Sequence, residues 1–156
     1  MPDWHKRFGV VSVSDLREQA DTVESLATDI QNVGRELKRI RQKELVLDGL
    51  RKAGRGTEAL DLYLRQIFKA IGSEYTPHID SRDEMPLRRG AVTAEQIIVI
   101  ASDLNERARS LRDAANEASR QGLISFEIDG HRKFAHANRE LTKYCGHLNS
   151  ARVALD

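Results

Sequence analysis

The side chains of this sequence best suited to binding a metal ion are His136, Glu140 and His147, spaced by four and then seven residues. Two imidazoles and a carboxylate form a common zinc ligand set, and this spacing places all three near one stripe of a helix. The two turns between Glu140 and His147 cover roughly 10 Å, which is long for a single ion. We therefore interpret the three residues as a polar helix face and predict neither a metal site nor a cofactor.

Two further segments resemble known functional motifs but lack a feature that each motif requires. Segment 49–57, GLRKAGRGT, comes close to the GxxxxGK[ST] phosphate-binding loop, but Arg55 replaces the lysine and the segment follows a helix instead of a strand. The single cysteine, Cys145, has His147 two positions further on, where it points to another side of the helix. Because a catalytic thiol needs a base placed beside it, we predict no enzymatic activity and no small-molecule substrate.

The polar residues between 101 and 134 are best suited to binding nucleic acid. If the chain bends at Asn105, arginines and an asparagine follow on a second helix, and two more bases lie beside the Asp129-Gly130 turn. Side chains of these types bind phosphates and guanine edges. The residues concerned are Arg107, Arg109, Arg112, Asn116, Arg120, Arg132 and Lys133.

From Ala101 onward this segment resembles a winged-helix domain, with "DLNE" at the turn and GLISFEIDGHRKFA as the wing. The resemblance covers about 35 of the 156 residues. It implies a DNA-binding transcriptional regulator built on residues 93–134. The segment departs from the pattern at Glu106, where the motif has an apolar residue, and at Ala115 and Ala118, where leucine is usual.

The alternative is that residues 93–121 form one uninterrupted helix. Thr93 and Gln96 form a capping box at its start, and neither glycine nor proline interrupts it. Its apolar stripe has a strict four-three spacing: Ile97, Ala101, Leu104, Ala108, Leu111, Ala115 and Ala118. Because the alanines let a neighbouring helix approach closely, we expect the last helix to pack antiparallel against this stripe.

Four helices account for most of the chain. They are predicted at about 14–50, 57–72, 93–121 and 137–155, with an N-terminal arm at 1–13, a loop at 73–92 and a β-hairpin at 123–136. The hairpin follows from the alternating polarity around Asp129-Gly130. No internal repeat is apparent. The expected fold is all-α: an elongated four-helix bundle with long coiled-coil-like helices and one small β-hairpin near the C-terminus, forming a single domain over 14–156.

The first predicted helix has the apolar spacing of a coiled coil and an uneven distribution of charge. Residues 13–32 contain one base and five acids, whereas residues 34–56 contain eight bases and three acids. Two such helices running antiparallel would match opposite charges. We call the apolar stripe of this helix its seam, and we predict a protein interface formed by the arm and the seam. Its residues are Trp4, Phe8, Leu16, Val23, Leu26, Ile30, Val33, Leu37 and Ile40.

Composition narrows the class of protein only slightly. A chain of 156 residues suits one domain, and a net charge of +1 gives no overall attraction to nucleic acid. No stretch reaches the roughly 18 apolar residues of a membrane span, and the first residues lack the apolar core of a signal peptide. We expect a cytoplasmic, non-enzymatic interaction protein, either a self-associating scaffold or adaptor or a structural subunit of a larger assembly formed there. The partner is then another protein, in a homo-oligomer, with the DNA-binding regulator and its nucleic-acid partner as the alternative.

Overall fold

A computed structural model describes residues 10–45, 49–76, 91–128 and 130–154, and of 49–55, 130 and 131 the backbone alone. Its elements are β1 (Val11–Ser12), α1 (Val13–Arg39), β2 (Glu44–Leu45), α2 (Gly49–Ala70), β3 (Val92–Thr93), α3 (Ala94–Arg120), β4 (Ser125–Phe126) and α4 (Gly130–Val153). The four helices pack against one another in a bundle. The predicted all-α class is therefore confirmed.

The bundle is built from two helix pairs, α1 with α3 and α2 with α4. The α1/α3 pair is antiparallel, since Arg17 near the start of α1 donates to Asn116 near the end of α3 at 3.5 Å. At the opposite end, Lys38 Nζ lies 3.8 Å from Glu95 Oε1. The expectation that α3 packs mainly on the last helix was therefore wrong. The seam of α1, which we had expected to meet a partner, covers α3 of the same chain instead.

Two antiparallel strand pairs tie the two ends of the α1/α3 pair. Val11 pairs with Phe126 and Ser12 with Ser125 at one end, which we call the β1/β4 end. Glu44 pairs with Thr93 and Leu45 with Val92 at the other, the β2/β3 end. Each pair takes one strand from each half of the chain, so the halves are joined at both ends.

The two halves of the chain repeat each other at an offset of 81 residues. Val11, Val13, Glu44 and Gly49 begin the elements of the first half, and Val92, Ala94, Ser125 and Gly130 begin those of the second. The strand register follows the same rule, because Val11↔Phe126 becomes Val92↔Leu45 when each residue is replaced by its equivalent. The chain therefore has internal two-fold pseudosymmetry, and the expectation of no internal repeat was wrong.

Both long helices begin with the same kind of N-terminal cap and end with the same kind of turn. Ser12 with Asp15 and Thr93 with Gln96 form capping boxes at equivalent positions. The C-terminal turns also correspond, with Arg41 at a φ of 60° and Gly122 at 78°. The amide of Gln42 donates to Leu37 O at 2.8 Å, closing a Schellman motif. This turn ends α1 at Arg39, well before the predicted residue 50, and lets the chain reach β3.

Several predicted boundaries were wrong for related reasons. The hairpin at 123–136 does not form, because β4 pairs with β1 and α4 already begins at Gly130. Helix α2 begins at Gly49, not at residue 57. Of the predicted arm, Val11 is fully buried in the chain's own core, and of the predicted loop 73–92, Val92 is in β3. The alternation of polar and apolar residues predicted the hairpin, the arm and the loop. Their actual bounds follow from the pairing of β1 with β4 and of β2 with β3.

Helix α3 runs without interruption from Ala94 to Arg120, through Asn105. The capping box at Thr93 is present as predicted. The alanines at 101, 108, 115 and 118 are fully buried in the stripe that faces the bundle. The single-helix interpretation of 93–121 is therefore confirmed, and the sharp bend that a winged-helix domain requires is absent from α3.

One glycine of α1, Gly34, packs directly against α3. A Cβ atom at Gly34 would lie 2.7 Å from Ile98 Cγ1 and 3.2 Å from Ala94 O. Such distances leave no room for a larger residue without movement of α3. The residue therefore sets how closely the two helix axes approach near the β2/β3 end.

Candidate binding cleft

The groove between α2 and α3 encloses an ion pair of Arg107 with Asp61. The Arg107 side chain is 5% exposed and the Asp61 side chain 16%. Arg107 Nε donates to Asp61 Oδ1 at 2.8 Å and Nη2 donates to Oδ2 at 3.0 Å. This bidentate arrangement is the strongest geometry available to the two groups, and it links the two helix pairs.

Further contacts complete the surroundings of this ion pair. Arg107 Nη1 donates to the backbone oxygen of Asp103 at 3.0 Å, and the Tyr75 hydroxyl donates to Asp61 Oδ1 at 2.8 Å. Burial alone lowers the pKa of Arg107, but the hydrogen bonds and charge of Asp61 outweigh it, so the net pKa lies above its ordinary value. Burial, followed by the contact with Asp61, raises the pKa of Tyr75. The groove is thus filled by groups of the chain itself.

The equivalent groove, between α1 and α4, has different side chains at the same positions. Leu26 stands at the position of Arg107, and Thr142 stands at the position of Asp61. No guanidinium of the described residues fills this groove, and a cleft of about 400 Å³ opens there. It is lined by Asp21, Thr22, Ser25, Leu26, Asn138 and Thr142. We call it the α1/α4 cleft.

Five of the six residues that line the α1/α4 cleft carry a side-chain oxygen. Asn138 Oδ1 is buried and has no hydrogen-bond partner among the residues that the structure describes. Asp21 brings a carboxylate, of which Oδ1 accepts from Arg112 Nη2 at 2.7 Å. The Thr22 hydroxyl donates to Glu18 O and therefore keeps its lone pairs for other donors. The cleft is suited to a group that donates several hydrogen bonds.

The arginines considered for nucleic-acid binding do not form one basic face. Arg107 is buried against α2, whereas Arg112 reaches across to α1, where it donates to Asp21 and to Glu24. Arg109 lies 3.0 Å from Glu106 on its own helix. Each of these side chains therefore has an acidic partner within the chain.

The other residues of that proposed site are equally dispersed. Asn116 accepts from Arg17, and Arg120 pairs with Glu117. Arg132 and Lys133 lie on α4, because the wing that was to present them does not form. The structure therefore does not bring the proposed nucleic-acid residues together.

Most of the predicted interface residues are buried inside the folded chain. Leu16, Val23, Ile30, Val33 and Leu37 are at most 2% exposed. Leu26 is half-buried beside the α1/α4 cleft, and Ile40 is exposed. Trp4 and Phe8 lie outside the described residues. A partner reaches the buried part of this seam only if the bundle opens.

The residues considered for metal binding lie along α4. His136 and His147 are exposed and Glu140 is half-buried. Within the described ranges, no group of three or more histidine, cysteine, aspartate or glutamate side chains is arranged to hold a metal ion. In the same part of the chain, no helix has the length and apolar character to cross a membrane.

No protein-family model, no curated protein and no solved structure matches the chain.

Sequence reasoning missed Asp61, Tyr75 and Asn138, the residues that distinguish the two grooves. One signal was available, because DGLRK at 48–52 recurs as DGHRK at 129–133. Leu60 and Tyr63 also recur at this offset, as Leu141 and Tyr144. Aligning the halves on these residues places Arg107 opposite Leu26 and predicts that the two grooves differ.

Proposed function

We propose that this chain is a non-enzymatic subunit that associates with copies of itself, as a cytoplasmic homo-oligomer or within a larger assembly. The observation that carries the proposal is the α1/α4 cleft. Its twofold equivalent is filled by Arg107, whereas the cleft is open and is lined by Asn138, whose buried Oδ1 has no hydrogen-bond partner in the described part of the chain. Buried polar groups of this kind are normally satisfied, so an external donor suits the site.

The distribution of charge supports association between copies. Bases crowd the β2/β3 end, where Arg35, Lys38, Arg39, Arg41 and Lys43 are exposed. Acids occupy the first half of α1, where Glu18, Asp21, Glu24 and Asp29 are exposed, with Asp21 and Glu24 sharing Arg112 as a partner within the chain. Opposite charges at the two ends of one exposed helix face match when two copies run antiparallel. The contact proposed here uses the outside of α1, not the apolar seam buried against α3.

Light scattering on the full chain tests this proposal. We expect the mass to rise from the 17.6 kDa of one chain to at least twice that value as the protein concentration increases. Adding a random DNA duplex, at low and at moderate salt, should leave the mass unchanged. A constant 17.6 kDa would contradict self-association. Salt-sensitive binding to the duplex would instead favour a nucleic-acid partner.

A further inference from the structure

We propose that the α1/α4 cleft binds the guanidinium group of Arg41 from a second copy of this chain, and that the two copies exchange this contact reciprocally. The inference rests on the proposed self-association and specifies its chemistry. In the resulting twofold dimer, the acidic first half of each α1 faces the basic end of its partner's α1.

The filled groove indicates what the open groove accepts. Between α2 and α3, a guanidinium enters from Arg107, binds the carboxylate of Asp61 and donates to a helix backbone oxygen at Asp103. Between α1 and α4, Leu26 replaces the arginine. Because leucine lacks the guanidinium, the space is left open. Asn138, which lines it, has a buried Oδ1 without a partner among the described residues.

The acceptors of the cleft suit a guanidinium better than an ammonium group. A guanidinium is planar and carries five N–H donors in fixed directions. Asp21 lines the cleft from α1, and Asn138 and Thr142 line it from α4. Leu26 is the apolar residue of the lining, and its side chain suits packing against the flat face of a guanidinium, which is weakly hydrated. One arginine side chain that enters the cleft would therefore lie between polar residues of both helices.

Arg41 supplies this group in the proposed contact. It is exposed just beyond the end of α1, and no hydrogen bond or ion pair of its side chain occurs within the described ranges. Of its neighbours, Arg39 bonds to Glu36 and Lys38 contacts Glu95. Arg41 thus presents a charge that its own fold does not neutralise.

The same chain cannot satisfy its own cleft with Arg41. Leu26 lies in the cleft and Arg41 lies 15 residues further along, which corresponds to roughly 20 Å of helix. An arginine side chain is much shorter than this distance, so the donor must come from another molecule. Two copies related by a twofold axis with antiparallel α1 helices place both arginines and both clefts in register.

Two pairs of variants test the contact by sedimentation or light scattering. Thr142→Lys puts a positive charge into the cleft at an exposed position, and Ser150→Lys is its control at an exposed position further along α4. Arg41→Gly removes the guanidinium and suits the positive φ of 60°, so it keeps the turn. Arg109→Gln, at an exposed arginine of α3, is its control. We expect Thr142→Lys and Arg41→Gly to raise the dimer dissociation constant at least about tenfold, and each control to change it less than about twofold.

A small probe tests the cleft itself in dilute protein. N-acetyl-arginine amide should shift the NMR signals of the Asn138 side-chain amide saturably, whereas N-acetyl-citrulline amide, which lacks the charge, should not. Dimerisation that Thr142→Lys and Arg41→Gly leave unchanged would overturn the inference while leaving the proposed function standing. Absence of a saturable arginine shift would also overturn it. A chain that stays monomeric at every concentration would contradict the proposed function. It would also contradict the binding of a second copy in the cleft.

Discussion

We expect Asp61→Thr to lower the free energy of unfolding by about 3–5 kcal/mol, because it leaves the Arg107 guanidinium buried without its carboxylate. Arg107 is 5% exposed, so little water can replace the lost partner. For a domain of this size the midpoint of thermal unfolding should fall by roughly 6–20 °C. Urea unfolding followed by circular dichroism measures the change.

The second groove supplies the matched control for this experiment. The double variant Arg107→Leu/Asp61→Thr copies Leu26 and Thr142, the pair that the fold already tolerates between α1 and α4. We expect it to be less destabilised than the sum of the two single variants by more than about 1 kcal/mol, because removing both partners leaves no buried charge. Costs that simply add would contradict the assignment of a coupled ion pair that links the helix pairs.

The two buried tyrosines of the repeat should respond differently to the same substitution. Tyr63 donates its hydroxyl to Gln19 Oε1, and both residues are buried. Tyr63→Phe leaves that oxygen without its donor and should cost about 1–2 kcal/mol. Tyr144 stands at the equivalent position, where Ile100 replaces Gln19, and its buried hydroxyl has no partner among the residues described. Tyr144→Phe should therefore be neutral or stabilise the chain by about 1 kcal/mol.

Each tyrosine variant controls for the other, since both lose one oxygen from a fully buried ring. Comparing the urea midpoints of the two variants with that of the original chain provides the measurement. Equal destabilisation by the two substitutions would mean that Tyr144 has a hydrogen-bond partner that the assigned twofold relation does not provide.

Much of the helical content was predictable because it is local. The spacing of Ile97, Leu104 and Leu111 together with the Thr93 capping box predicted α3 nearly to its bounds. The end of α1 was missed because Leu47 continues the apolar spacing, whereas Arg41 adopts a left-handed conformation that favours glycine or asparagine. Nothing in the local pattern marks that turn.

The pairing of elements was not predictable from local patterns. The residues around Phe126 alternate as a hairpin does, but their partner is Val11, more than 100 positions earlier. The candidate cleft was missed for the same reason, since its walls come from residues 21–26 and 138–142. Only a comparison of the two halves brings these segments together, and the halves keep too few identical residues for the repeat to stand out.

A dipolar EPR measurement of distances within one chain tests most directly the central claim, that each chain closes its own α1/α3 seam. With Cys145 replaced by serine, spin labels at Ser14 and Ser119 should lie roughly 10–20 Å apart, since the helices are antiparallel neighbours. Labels at Ser14 and Glu95 should lie roughly 35 Å apart or more, at opposite ends of the pair. Both distances should persist in an excess of unlabelled protein. A reversal of the two distances, or a short distance that disappears on such dilution, would contradict the claim.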